Sequence, residues 1–197
     1  MNDPKIVYFM DNHPFPFPEE IAQKWVQQEL DLTREIFAAF AEDHWRPAKG
    51  SPLKVIRETI DSEGANKRDV YVGDVDLRHG TWWSERLTPV QDHWEEWRDK
   101  ERVFSIGAAL KPQYHGRGIG STAMDVLFNQ WGIPIIGCTE VRAGTYTSNV
   151  RSLRVWEKLG FVRAPGIPET TVIVQKEKIG GEEGRVEKQC TLIWSLP

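Results

Sequence analysis

The chain has few of the features that mark secreted, metal-stabilised or membrane-spanning proteins. It contains two cysteines, Cys138 and Cys190, with no C-x-x-C pair and no cysteine–histidine cluster, so the sequence predicts neither a disulfide framework nor a metal site. Its apolar runs are much shorter than the roughly 20 residues of a membrane-spanning helix. The first residues do not form a basic region leading into an apolar one, so we expect no signal peptide. We therefore predict a cytoplasmic protein without a membrane partner.

An excess of positive charge is also missing. The chain has 25 lysines and arginines against 29 aspartates and glutamates, a formal net charge of -4, which argues against nucleic acid as a partner. Its 197 residues are 40% apolar and suffice for one hydrophobic core. We predict a single domain over residues 1–197. Its sections are a helical part at about 18–46, a tryptophan-rich insertion at about 78–100, a core at about 102–162 and a C-terminal hairpin at about 171–195.

Hydrophobic periodicity predicts alternating strands and helices. The predicted strands are Ile6–Met10, Lys54–Thr59, Val70–Leu77, Val103–Leu110, Ile133–Ile136, Glu140–Thr147, Thr171–Gln175 and Gln189–Ser195. Helices are predicted from Pro18 onward and over Leu32–Asp43, Pro89–Lys100, Ser121–Trp131 and Asn149–Leu159. Asn149 is a good N-cap for the last helix, and Gly160 suits the position that ends it.

The turn after the strand Val103–Leu110 is rich in glycine and leads directly into a helix. Such a turn presents unpaired backbone N–H groups and the positive end of a helix dipole, which together bind phosphate. The sequence lacks the Lys-Ser or Lys-Thr of a P-loop. It also has Ser121 where the third glycine of a dinucleotide-binding turn belongs, although Glu140 lies where a ribose-binding acid is expected. A dinucleotide site therefore stays open as an alternative.

This turn resembles motif A of the GNAT N-acetyltransferase family, Q/R-x-x-G-x-G/A, which implies that its backbone amides hold the pyrophosphate of acetyl-CoA. Two registers of the motif match. Gln113 with Gly116 and Gly118 fits literally, whereas His115 with Gly118 and Gly120 better reproduces the usual order of proline, aromatic residue and glycines. We prefer the second register, in which histidine replaces glutamine or arginine.

A second segment resembles motif B of the same family, with tryptophan in place of the usual tyrosine; its matching residues are Asn149, Ser152, Trp156, Lys158, Gly160 and Phe161. The two motifs, in this order, imply an α/β GNAT fold: a mixed, mostly antiparallel sheet, splayed at the cofactor site and flanked by helices. They imply an acetyl-CoA-dependent N-acetyltransferase without a metal. The N-terminal half resembles the ribosomal-protein N-terminal acetyltransferase branch.

The resemblance also implies which residues contact acetyl-CoA. These are Ala109, Leu110, His115, Gly116, Arg117, Gly118, Ile119, Gly120, Ser121, Asn149, Ser152, Trp156 and Lys158.

Acetyl transfer to an amine requires a group that removes a proton, because an alkylammonium has no lone pair. The resemblance implies Glu140 as the first candidate for this base, because some members of the family carry it on the strand before motif B; Asp74 and Asp76 are alternatives on a neighbouring strand. Trp156 cannot supply the proton that the family's tyrosine gives to the departing thiolate. Ser152, Tyr146 or water must supply it.

We expect the acceptor to be an amine of a small molecule or of a protein or peptide. Trp82 and Trp83 are predicted to line the acceptor side together with Asp74 and Tyr146, because tryptophan can grip an apolar stem or stack on a cation. The predicted assembly is a monomer or homodimer. A non-catalytic acyl-CoA-binding module of the same fold is the main alternative function.

Overall fold

The computed structural model describes residues 2–10, 14–41, 50–62, 66–80, 103–180 and 183–196, which form one sheet with flanking helices. The helices are α1 (Pro4–Val7), α2 (Glu19–Ala41), α3 (Ile119–Leu127), α4 (Val150–Lys158) and α5 (Lys176–Ile179). The strands are β1 (Val55–Ser62), β2 (Asn66–His79), β3 (Val103–Leu110), β4 (Glu140–Tyr146), β5 (Val162–Arg163), β6 (Thr170–Val174) and β7 (Arg185–Ser195). A 3-10 turn at Pro112–Tyr114 precedes α3, and a π-helical turn at Phe128–Gly132 follows it.

Six of the predicted strands are confirmed within a few residues, and the sequence was misread at three other places. The segment predicted as the strand Ile6–Met10 begins as helix α1, because the Asp3 side chain accepts a hydrogen bond from the Lys5 N–H at 2.8 Å and Pro4 occupies the first helical position. The segment Ile133–Ile136 is a turn instead of a strand, with the Ile133 N–H bonded to a carbonyl of the preceding π-helical turn.

The third correction concerns α2, which was predicted as two helices and is one of 23 residues. Its sequence contains no proline or glycine, so nothing in the chain interrupts the helix. The predicted helix Pro89–Lys100 lies outside the described residues.

The sheet is mixed and mostly antiparallel, as predicted, with strand order β1-β2-β3-β4-β7-β5 and with β6 also paired to β7. β3 and β4 are parallel, and they pair only where Val103–Ser105 lie opposite Glu140–Arg142. Beyond that point Ile106–Leu110 pair with β2 and Ala143–Tyr146 pair with β7, but the two segments do not pair with each other. The sheet therefore opens into a V towards the C-terminal ends of β3 and β4.

The two faces of the sheet carry different side chains, because successive residues of a strand point to opposite sides. On one face Leu77, Phe104 and Val141 belong to the main hydrophobic core, which also includes residues of α3 and α4. The other face carries charged side chains of β2, and α2 contacts it through Glu29, which accepts a hydrogen bond from Arg78 at 2.5 Å. The sheet thus separates an apolar helical side from a polar side, and the V-shaped gap opens between the two.

Candidate functional site

The turn between β3 and α3 presents six consecutive backbone N–H groups, from Gly116 to Ser121. None of them donates to an acceptor among the described residues; the first bonded N–H is that of Thr122, which donates to the Gly118 carbonyl at 3.0 Å. Gly116 and Gly118 have φ angles of 75° and 79°, and a Cβ built on either would meet no atom within 4 Å. The turn therefore offers a concentrated set of donors, open space and a helix N-terminus, which fits a pyrophosphate group.

Three side chains of this turn have partners within the protein, one of them the Ser121 hydroxyl, which donates to the Gly118 carbonyl at 2.9 Å. A ring nitrogen of His115 lies 2.9 Å from the carbonyl oxygen of Leu110, which ties the turn to the end of β3. The Arg117 guanidinium donates to Glu58 of β1 at 2.6 Å. The structure therefore gives His115 a role in holding the turn, and Arg117 would have to leave Glu58 to bind a phosphate.

The start of α4 lies directly after the open end of β4 and carries the motif B side chains. Asn149 caps the helix as predicted, with its Oδ1 accepting from the Ser152 N–H at 3.2 Å. The indole Nε1–H of Trp156 donates to the Ser152 Oγ at 3.0 Å, and the Trp156 ring packs against Phe161 with centroids 5.1 Å apart. Lys158 lies in the last turn of the helix and is exposed. Ser152 and Trp156 thus act as one bonded pair.

The polar face of the sheet carries a partly buried carboxylate beside the gap. Asp74 lies opposite Ala109, in the part of β3 that does not pair with β4. The Tyr71 hydroxyl donates to Asp74 at 2.7 Å, and no lysine or arginine of the described residues forms an ion pair with this carboxylate. Burial raises the pKa of Asp74 above its ordinary value, although the hydrogen bond from Tyr71 opposes the rise. Asp74 is therefore poised to accept a proton nearer to neutral pH than an ordinary aspartate.

Asp76 has a different environment from Asp74, although both lie on β2. Lys54 lies 3.3 Å from the Asp76 carboxylate, and the Arg78 guanidinium also bonds to it. Both cations in turn contact Glu29 of α2, so two acidic and two basic side chains compensate one another. Asp76 is thus part of a structural ion-pair network that connects α2 to the sheet.

Glu140 and Tyr146 occupy opposite ends of β4. Glu140 lies at the closed end of the V, opposite Val103, and its carboxylate accepts from Arg142 at 2.5 Å. Tyr146 lies at the open end but is only 2% exposed, with the ring of Phe9 6.3 Å from its own. The N-terminal segment therefore covers Tyr146, which was predicted to face the acceptor.

The structure thus brings the turn and the first residues of α4 to the open end of the V, with Asp74 on the polar face. It leaves Glu140 at the closed end. Trp82 and Trp83 lie outside the described residues. Sequence reasoning missed Tyr71, because β1 and β2 shift register between Ile56 and Arg57, and this irregularity breaks the alternation that would have placed Tyr71 on the face away from Asp74. The sequence signal that could have indicated this shift is Gly73, an isolated glycine inside the strand next to the irregularity.

The described residues contain no group of three or more histidine, cysteine, aspartate or glutamate side chains that could hold a metal ion. None of the helices in the same part of the chain has the length and apolar character needed to cross a bilayer.

The splayed strand pair, the turn with its six free N–H groups and the helix after it form a site that suits a phosphate-bearing ligand. The family described as "Acetyltransferase (GNAT) domain" matches residues 1–162 of this chain. The chain therefore belongs to the GNAT acetyltransferase family. No functionally curated protein matches it.

Solved structures similar to this chain share little sequence with it. A domain from Methanocaldococcus jannaschii has a TM-score of 0.52 at 15% identity, over 99% of this chain and 86% of that one, which shows the fold alone. YncA from Salmonella typhimurium, solved with its cofactor acetyl-CoA, has a TM-score of 0.45 at 19% identity, over 65% and 60%. Spermidine N-acetyltransferase from Vibrio cholerae, in complex with CoA and spermine, has a TM-score of 0.43 at 13% identity, over 64% and 59%. The chain thus covers about three fifths of the length of the last two.

Proposed function

We propose that this protein transfers an acetyl group from acetyl-CoA to a primary amine, which attacks the thioester directly. The observation that carries the proposal is the set of six unpaired N–H groups from Gly116 to Ser121 beside the splayed strands. These donors fit the pyrophosphate of acetyl-CoA. The unpaired backbone edges of β3 and β4 leave room for its pantetheine arm and can donate a hydrogen bond to the oxyanion that forms on the thioester carbon.

The acceptor amine must lose a proton, and Asp74 is the group whose environment best suits this role. It lies at the open end of the V, it has no lysine or arginine partner among the described residues, and its pKa is raised by burial. The amine proton would pass to its carboxylate directly or through one water. Glu140, predicted from the sequence as this base, is held by Arg142 at the closed end and is the second candidate.

The departing thiolate needs a proton, for which the sequence left Ser152, Tyr146 or water as sources. Ser152 is half-buried at the first turn of α4, whereas Tyr146 is covered by Phe9. Ser152 is therefore the preferred donor.

The acceptor class is an amine of a small molecule or of a peptide. Asp74 would attract its ammonium group, and Trp82 and Trp83 remain predicted to wall the acceptor side. The resemblance of the N-terminal half to the ribosomal-protein branch favours a peptide amine. We therefore propose a peptide amine as the acceptor and a monomer or homodimer as the assembly.

The test is a turnover assay with acetyl-CoA and a panel of primary amines that includes N-terminal peptides, amino acids and polyamines. Release of free CoA is measured with a thiol reagent, and acetylated products are identified by mass. Acetyl-CoA binding without CoA release on any amine or with a cell extract would make the protein a non-catalytic acyl-CoA-binding module. A protein that does not bind acetyl-CoA at all would refute the proposal as a whole.

A further inference from the structure

The bond between Trp156 and Ser152 joins two residues of the same face of α4, four positions apart. Trp156 is 4% exposed, and its indole N–H would be a costly unpaired donor without this partner. A serine hydroxyl has one proton to donate and two lone pairs that accept. The indole occupies one lone pair, and no described residue accepts the hydroxyl proton of Ser152. The indole therefore holds the Ser152 hydroxyl in place and leaves its proton available for donation.

We infer that Trp156 is a positioning residue, which holds Ser152 so that the hydroxyl gives its proton to the sulfur of the departing CoA. The inference rests on the proposed acetyl transfer. It explains how the chain can work with tryptophan where the family has tyrosine: the indole cannot protonate a thiolate itself, but it orients and polarises the group that does.

The amine nitrogen forms a bond to the thioester carbon, the carbon–sulfur bond breaks, and its electron pair goes to sulfur. Ser152 gives its hydroxyl proton to the sulfur and recovers a proton from water. The nitrogen loses two protons, one from the ammonium before attack and one after the bond to carbon has formed, and both pass through Asp74 to water. Water returns one of them to Ser152, so acetyl transfer to an ammonium releases one proton in total.

The indole N–H assists this step because it donates to the same oxygen on which negative charge develops. A hydrogen bond to a group that is becoming charged is stronger than one to a neutral group. Asn149 supports the arrangement, since its side chain fixes the backbone of Ser152 in the first turn of the helix. Contacts within α4 and its N-cap therefore hold the pair.

The first experiment measures the ionisation of the CoA thiol bound to the protein, which requires no turnover. The thiolate is followed by ultraviolet absorbance during a pH titration of the complex. Ser152→Ala should raise the pKa of the bound thiol by about one unit, because it removes the hydroxyl that donates a hydrogen bond to the thiolate. Trp156→Phe should raise the same pKa by about half a unit, because it removes the indole N–H that orients this hydroxyl. The double variant should shift it no further than Ser152→Ala alone.

Trp131→Phe is the matched control, because the Trp131 Nε1 is buried and has no hydrogen-bond partner among the described residues. It should leave the pKa of the bound thiol unchanged. Equal shifts in Trp131→Phe and Trp156→Phe, or a double variant that shifts further than Ser152→Ala, would overturn the inference.

Kinetics give the second readout. On any amine that the wild type acetylates, Trp156→Phe should lower kcat about threefold to tenfold with little change in KM, and it should have no further effect in the Ser152→Ala background. Trp156→Tyr, which restores a hydroxyl to this position, should recover most of kcat. Unchanged kcat in Trp156→Phe would refute the inference while leaving acetyl transfer itself intact; a wild type without turnover refutes the proposed function instead.

Trp156→Phe could reduce folding, since the residue is buried. A third measurement therefore uses Ser152→Ala alone. In the NMR spectrum of the indole N–H groups, the Trp156 signal should move when the Ser152 hydroxyl is removed and should respond to CoA in the wild type only. A Trp156 signal that is the same in both proteins would show that the bond has no role.

Discussion

The sharpest prediction concerns the acid limb of the pH–rate profile, which we assign to Asp74. If its carboxylate removes the amine proton, kcat/KM should rise with pH through the pKa of Asp74, above the ordinary aspartate value of about 3.9. Asp74→Asn should lower kcat/KM by about 10²- to 10⁴-fold near neutral pH and remove this limb. The loss should shrink at high pH, because more of the amine is then already unprotonated.

Tyr71→Phe provides a finer test, because the Tyr71 hydroxyl donates to Asp74 at 2.7 Å and favours its ionised form. A hydrogen bond to a charged group contributes about 1.5–3 kcal/mol, and one pKa unit corresponds to about 1.4 kcal/mol. Both groups are partly exposed to solvent, so only part of this free energy should appear as a rise in the pKa of Asp74. Tyr71→Phe should therefore move the acid limb to higher pH without abolishing it. Asp69→Asn, an exposed aspartate on the same strand, is the control and should leave the limb in place.

The pH dependence of the free energy of unfolding reports on the ionisation of Asp74 without any substrate. Because the pKa of Asp74 is raised in the folded state, the folded protein binds more protons than the unfolded chain between the ordinary and the raised pKa. The free energy of unfolding should therefore fall as pH rises through this window, and Asp74→Asn should remove that fall. If Asp74→Asn retains the acid limb and Tyr71→Phe leaves it unmoved, Asp74 is not the base.

Three further predictions test other parts of the site. Gly118→Val should abolish measurable acetyl-CoA binding in calorimetry, because it forces a branched residue to a φ of 79° and fills the space beside the free N–H groups; unchanged affinity would mean that the site is misplaced. Gly73→Ala should lower the free energy of unfolding by about 1–3 kcal/mol, because the new Cβ would lie 2.2 Å from a carbonyl oxygen of β3. The melting temperature should fall with it. Gly107→Ala is the control, because a Cβ there meets no atom within 4 Å, and it should leave the melting temperature unchanged. Glu140→Gln should lower kcat/KM less than tenfold and keep the acid limb; loss of that limb would make Glu140 the base in place of Asp74.

The local features of this fold were readable from the sequence because neighbours along the chain determine them. The strand, glycine-rich turn and helix from Val103 onward follow from alternation and from the glycines, and the structure confirms them. Asn149 caps α4 as predicted, since a cap depends only on residues within one turn. The same local rules also decide the N-terminal helix α1, where Asp3 and Pro4 outweigh the apolar run that suggested a strand.

Contacts between distant parts of the chain decided the rest of the site. Only the pairing of β2 with β3 places Asp74 at the open end of the V, and only the register shift against β1 brings Tyr71 to it. The covering of Tyr146 by Phe9 joins residues far apart in the chain, so no local pattern predicts it. Trp156 could be recognised in the sequence as a departure from tyrosine, but its bond to Ser152 depends on the rotamers that packing against the core selects.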